Sequence, residues 1–461
     1  MGKIHSIEQS RQSPALTPEQ YAKNFCDIHP ALDSKLAAIE SSRCYFCYDA
    51  PCIEACPSEI NIPEFIRRIS TGNRKGAAVE ILSANILGGT CARVCPVEIL
   101  CEKACVRNKS EDKPVAIGLL QRFATDHIFE NKIQPFTREA STGKKIAIVG
   151  AGPAGLSAAH NLSRLGHDVE IFESQPKSGG LNEYGIAAYK MLDEFAQREV
   201  DFLLSLGGIK VHHDKPLGKA VKLKELRKSF DAVFLAHGLQ GVNSLQVEGE
   251  EIKGVISAVD YIEALRESKN YTEMKVGKKV VVIGGGNTAI DIAIQSKALG
   301  ADEVTLVYRR GAEDMSATSY EQELAQKHGV TIRYWSKPSS IQGDAKGITE
   351  AKFEKTRKNA KGQLEGTGEF YTLAADQLFK AVGQVMVPSL LGEGSDLLEL
   401  EKGKIKVDSN LQTSLKGVYA GGDCILHKED LTVVAVQDGK IAARKIDEQL
   451  TGRKHPEARR G

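Results

Sequence analysis

The sequence predicts an α/β protein in which a helical N-terminal domain precedes two nested domains built from parallel strands and helices. Residues 21–130 carry helical apolar patterns with few β-rich runs. After a polar linker at residues 137–145, a short apolar strand, a glycine-rich turn and a helix follow, and a second copy of this pattern interrupts the first. The 461 residues, 41% of them hydrophobic, carry a net charge of only +1, which gives no support for binding nucleic acid or an anionic membrane.

The helical domain is typified by one predicted helix over residues 62–69. Pro63 suits a first helical turn, and Asn61 can cap the free backbone N–H groups in front of it. Phe65 and Ile69 recur at helical spacing and would share a buried face.

This helical region also contains eight of the ten cysteines, in two groups. Such spacing, with a proline after the last cysteine of the first group, is typical of iron–sulfur clusters. Structural zinc favours paired CxxC units or histidine, but no histidine lies between the first and last of these cysteines. The groups are Cys44-x2-Cys47-x4-Cys52-x3-Cys56-Pro57 and Cys91-x3-Cys95-Pro96-x4-Cys101-x3-Cys105.

A disulfide framework would need an oxidising compartment. The N-terminus is polar and shows no apolar signal-peptide core, and no apolar run is long enough to span a membrane. We therefore expect reduced thiols in a cytoplasmic protein.

The spacing also predicts how two clusters share the thiols. In two-cluster ferredoxins the cysteine before proline ligates the other cluster. The first cluster would then take Cys44, Cys47, Cys52 and the returning Cys105, and the second would take Cys56, Cys95 and Cys101. The second cluster lacks one ligand in this scheme, and a count of thiols alone favours Cys91.

The first strand–turn–helix copy begins with the apolar run 146–149. The turn Gly150-Ala151-Gly152-Pro153-Ala154-Gly155 follows, and the next apolar run, 169–173, ends in an acid. Glycines at this spacing bend the chain, admit a pyrophosphate to the backbone and let the helix pack on the strand, while the helix N-terminus attracts the phosphates. Glu173, about 20 residues further on, can accept hydrogen bonds from a ribose. A tight turn without a ligand is the alternative.

The second copy differs at the end of its second strand. The run 280–283 leads into Gly284-Gly285-Gly286-Asn287-Thr288-Ala289 and a helix, and the strand over residues 304–308 ends in Arg309-Arg310. Guanidinium groups bind a 2′-phosphate, which a carboxylate would repel. We predict that this site prefers NADPH to NADH. The alternative is that the arginines are only a solvated strand end.

Two Rossmann-like nucleotide-binding domains, one nested in the other, are typical of flavoprotein reductases. Near the C-terminus, a strand ends in Gly422-Asp423 and a helix begins near Thr432, which would place Asp423 on the flavin ribityl or phosphate oxygens. The segments 231–238 and 378–383 are the predicted crossovers between the two domains.

The predicted domains follow from these motifs. They are a helical domain at 1–136 that binds two [4Fe-4S] clusters, an FAD domain at 144–250 and 382–461, and an NAD(P)H domain at 251–381. The candidate nucleotide-binding residues are Gly150, Ala151, Gly152, Pro153, Ala154, Glu173, Gly180, Leu181, Ala236, Gly238, Gly284, Gly286, Asn287, Thr288, Ala289, Arg309, Arg310, Ala381, Val382, Gly383, Gly422, Asp423 and Thr432.

From Cys44 to Gln437 the chain resembles the iron–sulfur flavoprotein reductases, which include the small subunit of glutamate synthase and the N-terminal part of dihydropyrimidine dehydrogenase. Three stretches make the dihydropyrimidine dehydrogenase branch the better match: Asp49-Ala50-Pro51-Cys52, Gly76-Ala77-Ala78 and Ile117-Gly118-Leu119-Leu120-Gln121-Arg122-Phe123-Ala124-Thr125. In that branch the glutamine of the last stretch is a cluster ligand. The resemblance implies that Gln121 completes the second cluster and that Cys91 is only its neighbour.

The resemblance also implies a function. The chain would be the electron-input subunit of a two-subunit enzyme, which takes hydride from NAD(P)H onto FAD and passes electrons through the clusters to an FMN-containing catalytic subunit that reduces uracil or thymine. Lys190, in a loop at 179–190 that lacks the family's usual Pro-x-Phe ending, would be the catalytic cation near the flavin; an ordinary surface lysine is the alternative. A glutamate synthase small subunit and a scaffold without turnover are competing functions.

Overall fold

The computed structural model describes residues 8–392, 398–457 and 459. It divides into two compact units. The smaller unit comprises Met1–Ile28, Tyr184–Lys190 and Gly241–Val385, and the larger comprises His29–Glu183, Met191–Gln240 and Met386–Gly461. The ends of the predicted domains at residues 1–7 and 460–461 lie outside the described residues. The domain boundaries at 136, 144, 250 and 381 stay predictions.

The first part of the chain is helical, as predicted, and residues 18–136 contain no strand. The helix predicted over 62–69 is present, and Asn61 caps it by accepting a hydrogen bond from the Glu64 N–H at 3.3 Å. The helices are α1 (Pro18–Asn24), α2 (Ser34–Ser42), α3 (Pro51–Glu54), α4 (Ile62–Ser70), α5 (Arg74–Ala84), α6 (Gly88–Val94), α7 (Arg107–Glu111) and α8 (Ile117–Glu130).

The first strand–turn–helix copy follows directly. Its strands alternate with helices, and the strands 145–149 and 232–235 are almost entirely buried, because both faces of a parallel sheet are covered. The elements are β1 (Lys145–Val149), α9 (Pro153–Arg164), β2 (Asp168–Phe172), α10 (Leu181–Tyr184), α11 (Phe195–Leu204), β3 (Ile209–His212), α12 (Leu223–Ser229) and β4 (Ala232–Leu235).

The second copy belongs to the smaller unit, which also contains a three-stranded antiparallel sheet. Its elements are β5 (Gly241–Val242), β6 (Val255–Ser257), α13 (Ala258–Glu267), β7 (Lys279–Gly284), α14 (Asn287–Ala298), β8 (Glu303–Val307), α15 (Ser319–Lys327), β9 (Val330–Arg333), β10 (Ser336–Asp344), β11 (Gly347–Lys358), β12 (Leu364–Ala374), β13 (Gln377–Ala381) and β14 (Gln384–Val385).

The C-terminal part returns to the larger unit. Its elements are β15 (Leu400–Glu401), β16 (Lys404–Ile405), β17 (Val418–Ala420) and the long helix α16 (Thr432–Thr451). Within the described residues, no helix combines the length and the apolar character needed to cross a membrane.

Both units contain a five-stranded parallel sheet with the same plan. The larger unit has the order β17-β4-β1-β2-β3, and the smaller unit has β6-β13-β7-β8-β9. In each sheet the strand before the glycine turn is central, with the strand that follows its helix on one side. This placement puts each turn at the carboxyl end of the central strand, where α/β sheets bind ligands.

Just beyond the two predicted crossover segments, two short strands pair with each other. The strands are β5, which follows β4 along the chain, and β14, which follows β13. They pair antiparallel, with Gln384 opposite Val242.

Candidate functional site

The four thiols predicted for the first cluster surround one pocket in the larger unit. Cys44, Cys47, Cys52 and Cys105 line it together with apolar side chains of α4, including Ile66. Burial raises the pKa of the Cys52 thiol to about 12, and the neighbouring thiols act in the same direction. Four converging thiols in an apolar pocket fit a [4Fe-4S] cluster, whose iron would hold them as thiolates.

The thiols predicted for the second cluster include Cys95, which packs against the buried residues Cys91, Val433 and Val434. A hydrogen bond with Cys91, and then burial, raise the pKa of Cys95, and the charges of Cys101 and Cys56 add to the effect. The structure thus brings the three predicted thiols of the second cluster close to one another, with the thiol of Cys91 beside them. All ten cysteines are free thiols.

Both candidates for the last ligand contact α6. Cys91 lies on that helix, is 3% exposed, and accepts a hydrogen bond from the Asn85 amide at 3.2 Å. Gln121, on α8, is 7% exposed, and its Nε2 donates to the Gly88 carbonyl at 2.7 Å. That bond fixes the side-chain amide so that Oε1 is the atom left to act as a ligand. No three His, Cys, Asp or Glu side chains in the described ranges converge on a point as one metal ion would require.

The first glycine turn is shaped by close backbone approaches. Gly150 has φ of +100°, and an added Cβ would lie 2.4 Å from the Ala236 carbonyl oxygen, so this crossover residue packs directly on the turn. Pro153 and Ala154 open α9 immediately after the turn. Gly152 has open space, with only Gly180 at 3.8 Å from an added Cβ. Free N–H groups at a helix start beside open space fit a pyrophosphate.

Glu173 is held rigidly against this turn. Its carboxylate is 6% exposed and accepts hydrogen bonds from the backbone N–H groups of Ala151 at 2.6 Å and Gln175 at 2.8 Å. The Ser174 hydroxyl donates to the same oxygen as Gln175, at 3.0 Å, so Oε2 is the oxygen with a lone pair left for a ribose hydroxyl. The acid is therefore preorganised at the position where the sequence predicts the ribose.

The C-terminal residues of the same unit complete this group. Thr432 opens α16, and its hydroxyl donates to Asn182 Oδ1 at 3.0 Å, which ties the helix start to the loop that contains Gly180 and Leu181. Burial raises the pKa of Asp423 to about 6, because the charged carboxylate has lost water. Gly238 follows β4 with φ of +62°.

Sequence reasoning missed two residues that hold the Gly422–Asp423 turn. Asp438, on α16, accepts a hydrogen bond from the Gly422 N–H at 2.7 Å, and His427 Nε2 lies 2.8 Å from the same carboxylate oxygen. Both side chains are almost fully buried. An acid inside a helical pattern gave no local signal of this role.

The second glycine turn repeats the backbone device in the smaller unit. Gly284 has φ of +156°, and an added Cβ would lie 2.2 Å from the Ala381 carbonyl oxygen. Gly286 precedes α14, which starts at Asn287 and continues through Thr288 and Ala289. Asn287 Oδ1 is buried and has no hydrogen-bond partner within the described part of the chain. An unpaired buried acceptor at a helix start fits a nucleotide that donates to it.

The two arginines follow β8, as predicted. Arg309 is exposed and Arg310 is half-buried, while their carbonyls are fixed by Thr356 Oγ1 at 2.7 Å and the Trp335 N–H at 3.0 Å. The backbone is therefore anchored and the guanidinium groups remain accessible. Val382 and Gly383 follow β13 in the same unit.

Lys190 is buried, so the alternative of a surface lysine is wrong. It is 9% exposed, and its Nζ lies 2.8 Å from Asp291 on α14 and 2.8 Å from Glu321 on α15. Burial lowers its pKa, but the two carboxylates outweigh burial and raise it above the usual range. Tyr189 donates its hydroxyl to the same Asp291 at 2.9 Å. The structure thus places Lys190 against α14, the helix that follows the second glycine turn in the same unit; its catalytic role stays a prediction.

Comparison with protein families gives two matches. Residues 144–439 match the pyridine nucleotide-disulphide oxidoreductase family, and residues 21–133 match the family described as dihydropyrimidine dehydrogenase domain II, 4Fe-4S cluster. The two matches cover the sheet domains and the cysteine domain respectively.

Individual relatives cover nearly the whole chain. A homologue of the PreT subunit of NAD-dependent dihydropyrimidine dehydrogenase from Salmonella typhi is 35% identical over 432 residues, which is 93% of this chain and 98% of the relative. The small chain of the NADPH glutamate synthase of Escherichia coli is 32% identical over 462 residues, 95% of this chain and 97% of the relative. The structure of Mycobacterium tuberculosis FprA with NADPH has the same fold over 67% of this chain and 85% of that chain, with a TM-score of 0.57 at 20% identity.

Proposed function

Because this chain belongs to the pyridine nucleotide-disulphide oxidoreductases and, with the PreT homologues and glutamate synthase small chains, to their iron–sulfur branch, we propose that it is the electron-input subunit of a dihydropyrimidine dehydrogenase. It would take hydride from NAD(P)H and deliver electrons to an FMN-containing subunit that reduces uracil or thymine. The observation that supports this best is the placement of the cysteine pocket and the Glu173 turn in one compact unit.

Different residues would bind the flavin and the two clusters. A flavin accepts two electrons as hydride and releases them singly, and [4Fe-4S] clusters accept one electron each. The turn at Gly150 and the carboxylate of Glu173 would hold the FAD. The four thiols of the pocket and the second group around Cys95 would hold two clusters. The protein supplies position and electrostatics, and no acid–base pair is needed.

The last ligand of the second cluster is proposed to be Gln121. Its Nε2 is bound to the Gly88 carbonyl, which orients Oε1, and orienting bonds of this kind are typical of metal ligands. Iron analysis of Gln121→Ala and Cys91→Ala separates the two candidates. We expect iron loss in the first variant and an unchanged iron content in the second; the reverse result would assign the ligand to Cys91.

The nucleotide is proposed to be NADPH in preference to NADH. The accessible Arg309 and the half-buried Arg310 support a site for a 2′-phosphate. The names of the relatives do not decide between the two nucleotides. The PreT homologue belongs to an NAD-dependent enzyme, and the glutamate synthase chain belongs to an NADPH enzyme. A lower KM for NADH than for NADPH in the wild type would contradict the proposal.

Lys190 is proposed to assist the reduction of the flavin. A buried ammonium paired with two carboxylates can act as a fixed electrostatic element. Lys190→Met should slow flavin reduction in stopped-flow measurements, whereas Lys190→Arg should largely restore the rate. Equal rates in the wild type and Lys190→Met would restrict Lys190 to a structural role.

The partner decides between this function and its competitor. The similarity to a glutamate synthase small chain favours a larger glutaminase-bearing partner as the second candidate. A tagged protein should be used under anaerobic conditions to capture partners from native extract, followed by mass identification. Capture of an FMN subunit that restores uracil- or thymine-dependent NAD(P)H oxidation supports the proposal. Capture of a glutamate synthase large subunit contradicts it.

A further inference from the structure

A buried lysine on α16 contacts the backbone close to Cys56 and Cys91. Lys440 is 5% exposed, and its Nζ donates to the backbone carbonyls of Ser58 at 2.8 Å and Ala84 at 3.0 Å. Burial lowers its pKa to about 8 because the ammonium has lost its water. A charged group is buried at a cost in free energy, and two carbonyls compensate it only in part. Such a residue calls for a functional explanation.

Both carbonyls lie beside the predicted ligands of the second cluster. Ser58 follows Cys56 by two residues, and its hydroxyl lies 3.4 Å from the Cys56 sulfur. Ala84 ends α5, and the next residue, Asn85, donates to the Ser58 hydroxyl at 3.3 Å and to the Cys91 sulfur at 3.2 Å. Ser58 and Asn85 are fully buried. The ammonium therefore belongs to a closed polar network around the sulfur atoms.

Among the described residues, no ion pair joins Lys440 to the acid whose charge acts on it. Glu59 contributes a charge that acts on Lys440, but its carboxylate is bound by Arg459 at 2.9 Å. The charge of Cys56 also acts on Lys440. At the first pocket, by contrast, the cation near Cys44 is Arg107, which forms an ion pair with Glu111. Of these two cations, Lys440 is the one that is buried without an ion pair to a carboxylate within the described residues.

The start of the same helix contacts the predicted flavin site. Thr432 opens α16 eight residues before Lys440, which corresponds to about 12 Å along a helix axis. Helix α16 thus contacts both the predicted flavin site and the backbone close to Cys56 and Cys91.

We propose that Lys440 is a positioning residue for electron transfer, which raises the reduction potential of the second cluster through its fixed positive charge. The proposal rests on the proposed function, since it requires that the cluster is bound. One electron enters the oxidised cluster from the reduced flavin, the charge of the cluster falls by one, and Lys440 keeps its proton. A nearby cation stabilises the added negative charge, and buried charges are poorly screened. Charge and hydrogen bonds near the sulfurs are known to set cluster potentials.

The test is an anaerobic redox titration followed by electron paramagnetic resonance. Lys440→Gln keeps hydrogen-bond donors for the Ser58 and Ala84 carbonyls but removes the charge. We expect one cluster potential to fall by the equivalent of at least a tenfold loss in electron affinity, about 59 mV for one electron, while the other stays unchanged as an internal reference. Lys440→Arg should restore most of the difference. Lys445→Met is the matched control, since Lys445 lies on the same helix but pairs with Glu448 at 2.9 Å.

Each other outcome would overturn the inference. An unchanged potential in Lys440→Gln with full iron content would show that the charge has no effect on the cluster. Loss of iron in Lys440→Gln would restrict Lys440 to holding the loop. Absence of cluster signals in the wild type would instead contradict the proposed function, so the two failures are distinguishable.

Discussion

The two glycine turns share a backbone device and differ in the residues that end the strand after each helix. At the first turn, Glu173 is buried and bound by two backbone N–H groups. At the second, hydrogen bonds hold the carbonyls of Arg309 and Arg310, while Arg309 is exposed and Arg310 is half-buried. A buried, fixed acid suits a cofactor that stays bound, whereas accessible cations suit a nucleotide that binds and leaves. One fold unit can thus serve a resident and an exchanging ligand.

The largest expected effect comes from filling the first turn. In Gly150→Val the new side chain meets the Ala236 carbonyl, and the backbone is held at φ of +100°. Strain and overpacking together cost about 2–6 kcal/mol, so flavin content should fall at least about tenfold. Gly143→Val is the control, because Gly143 also has positive φ but no atom lies within 4 Å of an added Cβ. Full flavin absorbance in purified Gly150→Val would contradict the account of this turn.

The matched change in the second turn should affect the other ligand. In Gly284→Val the side chain meets the Ala381 carbonyl at 2.2 Å. The protein should keep its flavin, whereas the rate of flavin reduction by NADPH should fall roughly 100-fold, since a loss of about 2.7 kcal/mol in binding corresponds to that factor. Stopped-flow spectroscopy measures the rate. Loss of flavin with unchanged NADPH kinetics would reverse the assignment of the two turns.

A smaller effect is expected at the strand end. Arg309→Ala combined with Arg310→Ala removes the proposed phosphate ligands. Because hydrogen bonds to charged groups contribute about 1.5–3 kcal/mol, KM for NADPH should rise roughly 10–150-fold. KM for NADH should stay unchanged, and it serves as the internal control. Equal changes for both nucleotides would mean that the arginines do not read the 2′-phosphate.

The smallest effect is expected at the first strand end. Glu173→Gln keeps the shape but replaces one accepting oxygen with a donor that opposes a backbone N–H. A lost hydrogen bond contributes about 0.5–1.5 kcal/mol, so the dissociation constant for FAD should rise up to about tenfold. Fluorescence titration of the flavin-free protein measures it. A loss of NADPH binding instead of FAD binding would show that this turn holds the other nucleotide.

The parallel sheets were predictable from the sequence because their signals are local. Four apolar runs and two glycine turns predict the strands at 145–149, 168–172, 279–284 and 303–307 to within one residue at most ends. The antiparallel strands β10 to β12 were not predicted, since their exposed faces carry charged residues and their apolar pattern is weak.

The candidate site was predictable only where the sequence itself carries the chemistry. Cysteine spacing predicts two groups, and the structure brings Cys44, Cys47, Cys52 and Cys105 together. The partners that lie far along the chain had no local signal. Asp438 binds Gly422 across 16 positions, and Lys440 binds Ser58 across 382 positions. Such contacts depend on tertiary packing, which residue patterns do not encode.

The most direct test of the account is an anaerobic titration of the purified protein with NADPH. Optical absorbance follows the flavin, and electron paramagnetic resonance follows the clusters. The account predicts bleaching of the flavin together with signals from reduced [4Fe-4S] clusters, and in Gly284→Val both should develop roughly 100-fold more slowly at equal NADPH. A flavin that stays oxidised, or one that bleaches without any cluster signal, would contradict electron input through this chain.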